Sequence, residues 1–309
     1  MPSLSLIIPT HKRADILREC LKRIDAQTVR DKIEVVVVSD GHDPETASLF
    51  QEAPNPKHQA PVFFEIPKSQ QGVARNRGVE RATGDIVMFI GDDILLEPVA
   101  CEVHLRLHSD LGPRTSDLGT IAGVSDAKSR SPNPEVRSPG LVLGHTEWDP
   151  ACAITPTMRW LDETGWQFGY RFIAPYAHQS LPKDIQHRFT YTSHISLPRE
   201  IALKFPFRED VTLYGWEDIE WGWRLAQAGI PLLYEPGAKA LHHHRMTLED
   251  SLMRMETLGK SAVLVERMNP DLRLVPRGIK RWAYRFFALF PTIKGKHARA
   301  FLSSSFPSV

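Results

Sequence analysis

Asp85-Ile86-Val87-Met88-Phe89-Ile90-Gly91-Asp92-Asp93 (DIVMFIGDD, residues 85–93) is the stretch on which the fold turns. A short run of branched and aromatic side chains has the length of a buried strand. It stops at a glycine, and two carboxylates follow. Adjacent acids leaving an apolar strand are costly if buried without partners. At a strand's carboxyl end they can hold Mg²⁺ or Mn²⁺, whose preference for oxygen suits carboxylates and phosphates. The alternative is a solvated turn.

Outward from this strand, strands and helices alternate. Leu4–Pro9 is a short apolar run, and Asp15–Ala26 places Ile16, Leu17, Cys20, Leu21 and Ile24 at helical spacing. Glu34–Ser39 is nearly all β-branched, as a central parallel strand should be, and stops at the turn signal Asp40-Gly41. Pro44–Gln51 reads as a helix, Val62–Ile66 as a strand and Gly72–Ala82 as a helix closed by Thr83-Gly84. A further helix runs from Glu97 to about His108. Such alternation predicts βαβ units and a mostly parallel sheet, with ligands beyond the carboxyl ends of its strands. Three polar clusters fall there: Thr10-His11-Lys12-Arg13, Asp40-Gly41 and Gly91-Asp92-Asp93.

From about Ser109 to Pro182 the pattern weakens, with proline, serine and glycine frequent in Ser129–Gly140. This reads as a loop-rich insertion over the site rather than a separate domain. Regularity returns with a strand at Thr190–Leu197 and a helix at Trp216–Ala228 ended by Gly229. Short extended pieces follow at Pro231–Tyr234 and Ala238–His243, then a helix at Leu248–Met268. The expected organisation is one α/β domain over residues 1–247, loop-rich at 109–187, and a helical extension over 248–309.

A formal net charge of +1 over 309 residues gives no global basic field of the kind that favours nucleic acid. Cys20, Cys101 and Cys152 are too widely spaced for a disulfide framework, which fits a reducing compartment. The start, MPSLSLIIPTHKR, reads as a first strand rather than a signal peptide, and no apolar run approaches bilayer-spanning length. The expectation is a cytoplasmic enzyme.

Four further segments carry chemistry. Asp40 either caps the following loop or accepts hydrogen bonds from a base or ribose edge. Arg75 and Arg77 project about 200° apart on a helix, so one of them can point inward. Arg75 is the candidate for phosphate recognition, with a surface salt bridge as the alternative. Glu217 and Asp218 sit at a helix start, where the dipole favours acids and where an acid can also act as general base. Trp216, Trp221 and Trp223 flank them, able to exclude water or stack on a sugar face. In an extended His242-His243-His244, the outer two share a face and can add a metal ligand while His243 points away. No GxGxxG, GxxxxGK[ST] or HExxH occurs, so ordinary dinucleotide, P-loop and zinc-protease readings lose support.

The ordered set Leu6–Thr10 with Arg13, Val35–Gly41, Gly72–Gly78 (GVARNRG), Thr83-Gly84-Asp85, Phe89–Asp93 (FIGDD) and Gly215–Leu225 (GWEDIEWGWRL) resembles the inverting glycosyltransferases of the GT-A fold, often called family 2. The resemblance covers about residues 3–108 and 188–245. It implies a GT-A-like α/β fold and transfer of a sugar from a nucleoside diphosphate donor to an acceptor hydroxyl. It places Pro9, Thr10, Arg13, Asp40, Arg75 and Asp92 at the nucleotide sugar. Asp93 would bind Mg²⁺ or Mn²⁺ with His242, or alternatively His244. Asp218 would be the catalytic base beside Glu217. The family's frequent Asp-x-Asp is broken here by Gly91, which leaves Asp93 as the single acidic ligand.

Two rival readings use the same residues. A nucleotidyltransferase also uses a parallel sheet and an acidic metal site but does not need the cluster at Asp218, and a carbohydrate-binding module would release no nucleoside diphosphate. The tail Arg277–Phe301 mixes cations with aromatics. It is either a helix packed by its aromatic face on the main domain or an interfacial helix on an anionic membrane, where a lipid-linked acceptor would reside.

Overall fold

The computed structural model describes residues 3–51, 58–110 and 140–305. Within the loop-rich segment, residues 111–139 therefore lie outside the described residues.

The first half builds a parallel sheet. Strands β1 (Leu4–Thr10), β2 (Ile33–Asp40), β3 (Val62–Ile66) and β4 (Ile86–Ile90) pair in parallel in the order β3-β2-β1-β4. Helices α1 (Ala14–Asp25), the short α2 (Pro44–Ser48) and α3 (Gln71–Arg81) connect them. Strand alternation sorts the apolar side chains. Leu6, Ile8, Val35, Val37 and Met88 pack with Leu17, Cys20 and Ile24 of α1, whereas Ile7, Val36, Val38 and Phe89 pack with Ala74 and Val79 of α3. Gly78 lets α3 settle on β1, because a methyl group there would lie 2.3 Å from Ile7 Cγ2.

Strand β5 (Ile94–Leu96) and helix α4 (Ala100–Asp110) follow the two acids. Beyond the undescribed segment come β6 (Leu141–Trp148), α5 (Pro156–Thr164), α6 (Tyr170–Ile173) and the two-residue β7 (Gln179–Ser180). Then follow β8 (His194–Pro198), α7 (Arg199–Lys204), α8 (Glu217–Gln227) and β9 (Leu232–His242). The sheet continues from β4 through β8, β6 and β9 to β5, with β7 also on β9. β6 and β9 run with the first four strands, whereas β5, β7 and β8 run against them. The sheet is thus mostly parallel, with helices on both faces, as expected. Three helices close the described chain: α9 (Leu248–Met268), α10 (Gly278–Ala288) and α11 (Ile293–Ser305).

The structure departs from the sequence reading in several places: β5 follows the two acids directly where no strand was expected, and the helix expected over Pro44–Gln51 ends at Ser48. The segment read as loop contains β6, a strand inside the sheet, whose first four residues are all buried. The strand expected from Thr190 begins only at His194. The two extended pieces near residues 231 and 238 are one strand, β9, in which Pro236-Gly237 falls where the register with β6 shifts.

Thr83-Gly84, which closes the helix before β4, is an anchor. The buried Glu34 carboxylate accepts hydrogen bonds from the Thr83 amide at 2.8 Å, the Thr83 hydroxyl at 2.9 Å and the Ser5 hydroxyl at 2.5 Å. The entry to β4 is thereby tied to β1 and β2 beneath the site.

The face of α4 meets β8 through three buried histidines. His104 Nδ1 and His108 Nε2 lie 2.7 and 2.8 Å from Ser196 Oγ, and His104 Nε2 lies 3.2 Å from His194 Nε2. Burial pushes His108 down to about 4 and His194 down to about 3, so the fold holds them neutral. Their ordinary value is 6.5, so the unfolded chain takes up protons first. Stability from these groups is full above pH 6.5 and is lost as the pH falls towards 4 and 3. At about 1.4 kcal/mol per unit, His108 alone contributes on the order of 3 kcal/mol. Denaturant midpoints followed by tryptophan fluorescence should fall steeply between pH 6.5 and 4 and less steeply in His108→Gln; parallel slopes in the two proteins would exclude the linkage.

Candidate active site

The carboxyl ends of β1, β2 and β4 open into a cleft of about 900 Å³, roofed by residues from α8, α9 and α10. The residues assigned from the sequence to nucleotide sugar, metal or catalysis all line it: Pro9, Thr10, Arg13, Asp40, Arg75, Asp92, Asp93, Glu217, Asp218, His242 and His244.

At its centre Arg13 bridges the two acids. Nη1 donates to Asp92 Oδ1 at 2.7 Å and Nη2 donates to Asp93 Oδ2 at 2.9 Å. Thr10 Oγ1 donates to the other Asp92 oxygen at 2.8 Å. The acids are therefore buried and paired rather than solvated. Burial, reinforced by the charge of Asp93, pushes Asp92 up to about 6. Burial acts the same way on Asp93, but His242, His244 and Arg13 outweigh it and hold that carboxyl well below its ordinary range.

The histidines arrive through strand pairing. His242 sits opposite Ile94 in the β5–β9 ladder, and the His243 amide donates to the Asp93 carbonyl at 2.8 Å. This turns His242 and His244 towards Asp93, with His242 Nε2 at 3.3 Å and His244 Nδ1 at 3.5 Å from Asp93 Oδ2. His243 points away, as alternation requires, and pairs with Asp149 Oδ2 at 2.7 Å. Trp148 stacks on the His242 ring at 4.9 Å, and Phe168 meets it edge-on. One carboxylate oxygen and two imidazole nitrogens thus converge within 4.8 Å of one another. A donor set of one carboxylate oxygen and two imidazole nitrogens suits a transition-metal dication such as Mn²⁺ better than Mg²⁺, whose shell is ordinarily all oxygen, with phosphate oxygens or water completing it.

On the opposite wall, Gly215 and Trp216 both take positive φ at the start of α8, 95° and 69°. The turn is braced from α9: Trp216 Nε1 donates to the Leu258 carbonyl at 2.8 Å, and Ser261 Oγ donates to the Gly215 carbonyl at 2.9 Å. Glu217 and Asp218 follow on the first turn of the helix. Arg75 Nη1 lies 3.5 Å from Glu217 Oε1, and Gln71 also hydrogen-bonds Glu217. Asp218 keeps partial exposure to the cleft. Burial, then the neighbouring Glu217 charge, pushes it up to about 7 despite Arg75.

Several expectations are refined by these positions. Arg75 faces the cleft, whereas Arg77 pairs with Glu80 and Glu209 outside it. Asp40 does cap a loop, accepting from the Ser69 amide at 2.6 Å, and its other oxygen meets Lys68 at 2.9 Å. Of the three tryptophans, only Trp216 lines the cleft. Trp221 is fully buried among Phe89 and Phe207, with Nε1 donating to the Phe205 carbonyl, so it cannot stack on a ligand. Sequence reasoning missed Gln71, Tyr191, Tyr214 and Arg254 as lining residues. Gln71 and Tyr214 carried a signal, each standing one residue before a matched segment, GVARNRG and GWEDIEWGWRL.

Comparison with known proteins agrees with this geometry. Residues 5–164 match the profile "Glycosyl transferase family 2". Validoxylamine A glucosyltransferase of Streptomyces hygroscopicus subsp. jinggangensis is 29% identical over 237 residues, covering 75% of this chain and 53% of its own. The putative glycosyltransferase EpsH of Bacillus subtilis is 30% identical over 109 residues, covering 35% and 31% respectively. A Campylobacter jejuni protein, GalNAc(5)-diNAcBac-PP-undecaprenol beta-1,3-glucosyltransferase, is 31% identical over 94 residues, 30% of each chain. The chain thus spans between about a third and a half of the length of these relatives. Among solved structures, mannosyltransferase PcManGT from Pyrobaculum calidifontis, in complex with GDP-Man and Mn²⁺, superposes with a TM-score of 0.54 at 17% identity, over 100% of this chain and 76% of that one. S. aureus TarS in complex with UDP superposes with a TM-score of 0.53 at 11% identity, over 99% and 90%. Such neighbours carry the GT-A fold. With the family profile matched from β1 through α5 and the acids at the ends of its strands in one cleft, the chain belongs to glycosyl transferase family 2.

Proposed function

We propose that this protein transfers a sugar from a nucleoside diphosphate donor to an acceptor hydroxyl with inversion. The observation that carries the reading is the meeting of Asp40, Asp92, Asp93 and Asp218 in one cleft, although they come from segments far apart in the chain. A nucleotidyltransferase or a binding module would not need a desolvated acid opposite the metal-type donors.

Pro9, Thr10, Asp40 and Asp92 form the donor side of the cleft, with Arg13 and Arg75 supplying charge for a diphosphate. Asp93, His242 and His244 would hold Mg²⁺ or Mn²⁺, whose charge would offset that developing on the leaving diphosphate. Arg13 must release Asp93 Oδ2 for that to happen, so its guanidinium is free to turn to the phosphates. Asp218 takes the proton from the acceptor hydroxyl as the new bond forms. Glu217, held by Arg75 and Gln71, lies beside it, and the neighbouring charge raises Asp218 towards the value a general base needs. The neighbours solved with GDP-Man and UDP support a nucleotide-sugar donor. The relative named for an undecaprenol-linked substrate supports a carbohydrate or lipid-linked acceptor, as in cell-surface polysaccharide or glycolipid synthesis. Three free, buried cysteines fit the cytoplasm. Among the described residues no helix is long and apolar enough to cross a membrane, and we place the protein at the inner membrane face.

Three outcomes test the assignment. Asp218→Asn should keep donor binding but lose about 10²–10⁴-fold in kcat, the usual worth of a general base; unchanged turnover removes Asp218 from the mechanism. Because Asp218 must be ionised, kcat/KM should rise with pH through about 7. Removing the like charge in Glu217→Gln should move that limb to lower pH, and a limb that stays in place argues against the pair. Asp93→Ala should weaken nucleotide binding in Mn²⁺ while leaving binding in EDTA unchanged, as read by calorimetry. Equal affinity in Mn²⁺ would rule Asp93 out as a ligand.

A further inference from the structure

Among the described residues, helix α10 and the turn after it leave an apolar face uncovered. Ile279 is 88% exposed, Trp282 68% and Leu289 76%, with Phe286 and Phe290 also open. These side chains recur at the spacing of one helical stripe. Trp282 stacks on Phe286 at 5.7 Å, and Phe286 meets Phe290 edge-on at 5.2 Å, so the stripe is a continuous aromatic ridge. The opposite side of the helix is used: Tyr284 packs towards Phe301 of α11, and Lys280 and Tyr284 line the cleft. Packing of the whole aromatic face on the main domain, one of the two readings of the tail, is therefore corrected.

The charge of the segment that carries the ridge has one sign, and of its cations Arg277 is paired with Glu266 of α9. From residue 272 to the C-terminus there is no Asp or Glu, while Arg273, Arg277, Lys280, Arg281, Arg285, Lys294, Lys296 and Arg299 are all cationic. Trp, Phe, Ile and Leu on one side, flanked by arginine and lysine with no acid among them, is the composition of a helix lying in an anionic headgroup layer. Tryptophan favours that depth because its ring is amphipathic.

We infer that α10 docks on an anionic lipid bilayer, with Ile279, Trp282, Phe286, Leu289 and Phe290 in the headgroup–acyl boundary and the surrounding cations on lipid phosphates. Because the same helix contributes Lys280 and Tyr284 to the cleft, docking holds the cleft beside the bilayer surface. This deepens the transferase reading by naming the surface from which an acceptor would enter, but docking itself needs neither donor nor transfer.

The test uses the full chain and phosphatidylcholine vesicles with and without phosphatidylglycerol, without donor, acceptor or metal. Co-sedimentation should be strong with phosphatidylglycerol and should weaken on the order of tenfold without it or in high salt. The triple variant Ile279→Ser, Trp282→Ser, Leu289→Ser should lose on the order of tenfold or more in partitioning. It should keep the wild-type melting temperature, since all three side chains are exposed. Equal pelleting of variant and wild type, or no pelleting of wild type on anionic vesicles, overturns the inference. A wild-type dimer in sedimentation velocity that the triple substitution disperses, without vesicle binding, would assign the ridge to a second copy instead. Nucleotide binding measured separately on the same variant distinguishes failure here from failure of the transferase reading.

Discussion

Two carboxylates side by side at the end of a buried strand set the terms for this molecule. Like charges about 4 Å apart repel by about 4 kcal/mol at the effective dielectric of a protein interior. Asp92 and Asp93 are nonetheless both buried. The arrangement persists because cationic and donor groups come from two other parts of the chain. Arg13 and Thr10 stand at and just beyond the end of β1, and His242 and His244 at and just beyond the end of β9. Convergence of those strand ends is thus an electrostatic requirement as well as a topological one. Arg13, His242 and His244 all meet the same oxygen, Asp93 Oδ2, so positive charge and imidazole converge on one point.

Much of this was legible because parallel strands buried on both faces write themselves as apolar runs, as at Leu4–Thr10 and Ile33–Asp40. Their polar ends then stand out against the run, and so the acids, Arg13 and Asp40 could be named. What was not legible depended on partners distant in sequence. β6 has only four apolar-type buried residues at its start, Leu141 to Gly144, before polar side chains intervene, and nothing local announces its place between β8 and β9. Pro236-Gly237 looks like a break in β9, yet the Gly237 amide is satisfied by Glu235 Oε1 and the strand resumes. Trp221 has the composition of a sugar-stacking residue, but the helical period turns it inward onto Phe89. That Arg13 grips both acids at once was visible only in three dimensions.

The turn that presents Glu217 and Asp218 shows how the C-terminal helices enter the site. A tryptophan in the left-handed region is uncommon and is maintained only when its surroundings over-determine it. Here α9 supplies both a carbonyl for the indole and a hydroxyl for the preceding glycine carbonyl. A methyl group on Gly215 would come within 2.2 Å of Leu258, so the helix and the turn are fitted to each other. The pair of acids is therefore oriented by a helix that follows the last strand of the sheet.

The sheet order also bears on how the chain reaches this state. β4 must wait for β8, which begins more than a hundred residues later, before its second edge is covered. Until then Ile86–Ile90 presents an unpaired apolar ladder during synthesis, a template for pairing between nascent chains. Closing so long a loop before any contact rewards it makes collapse of the second half slow. The bare edge of β4 is therefore the part of the emerging N-terminal half most exposed to wrong pairing before the second half arrives.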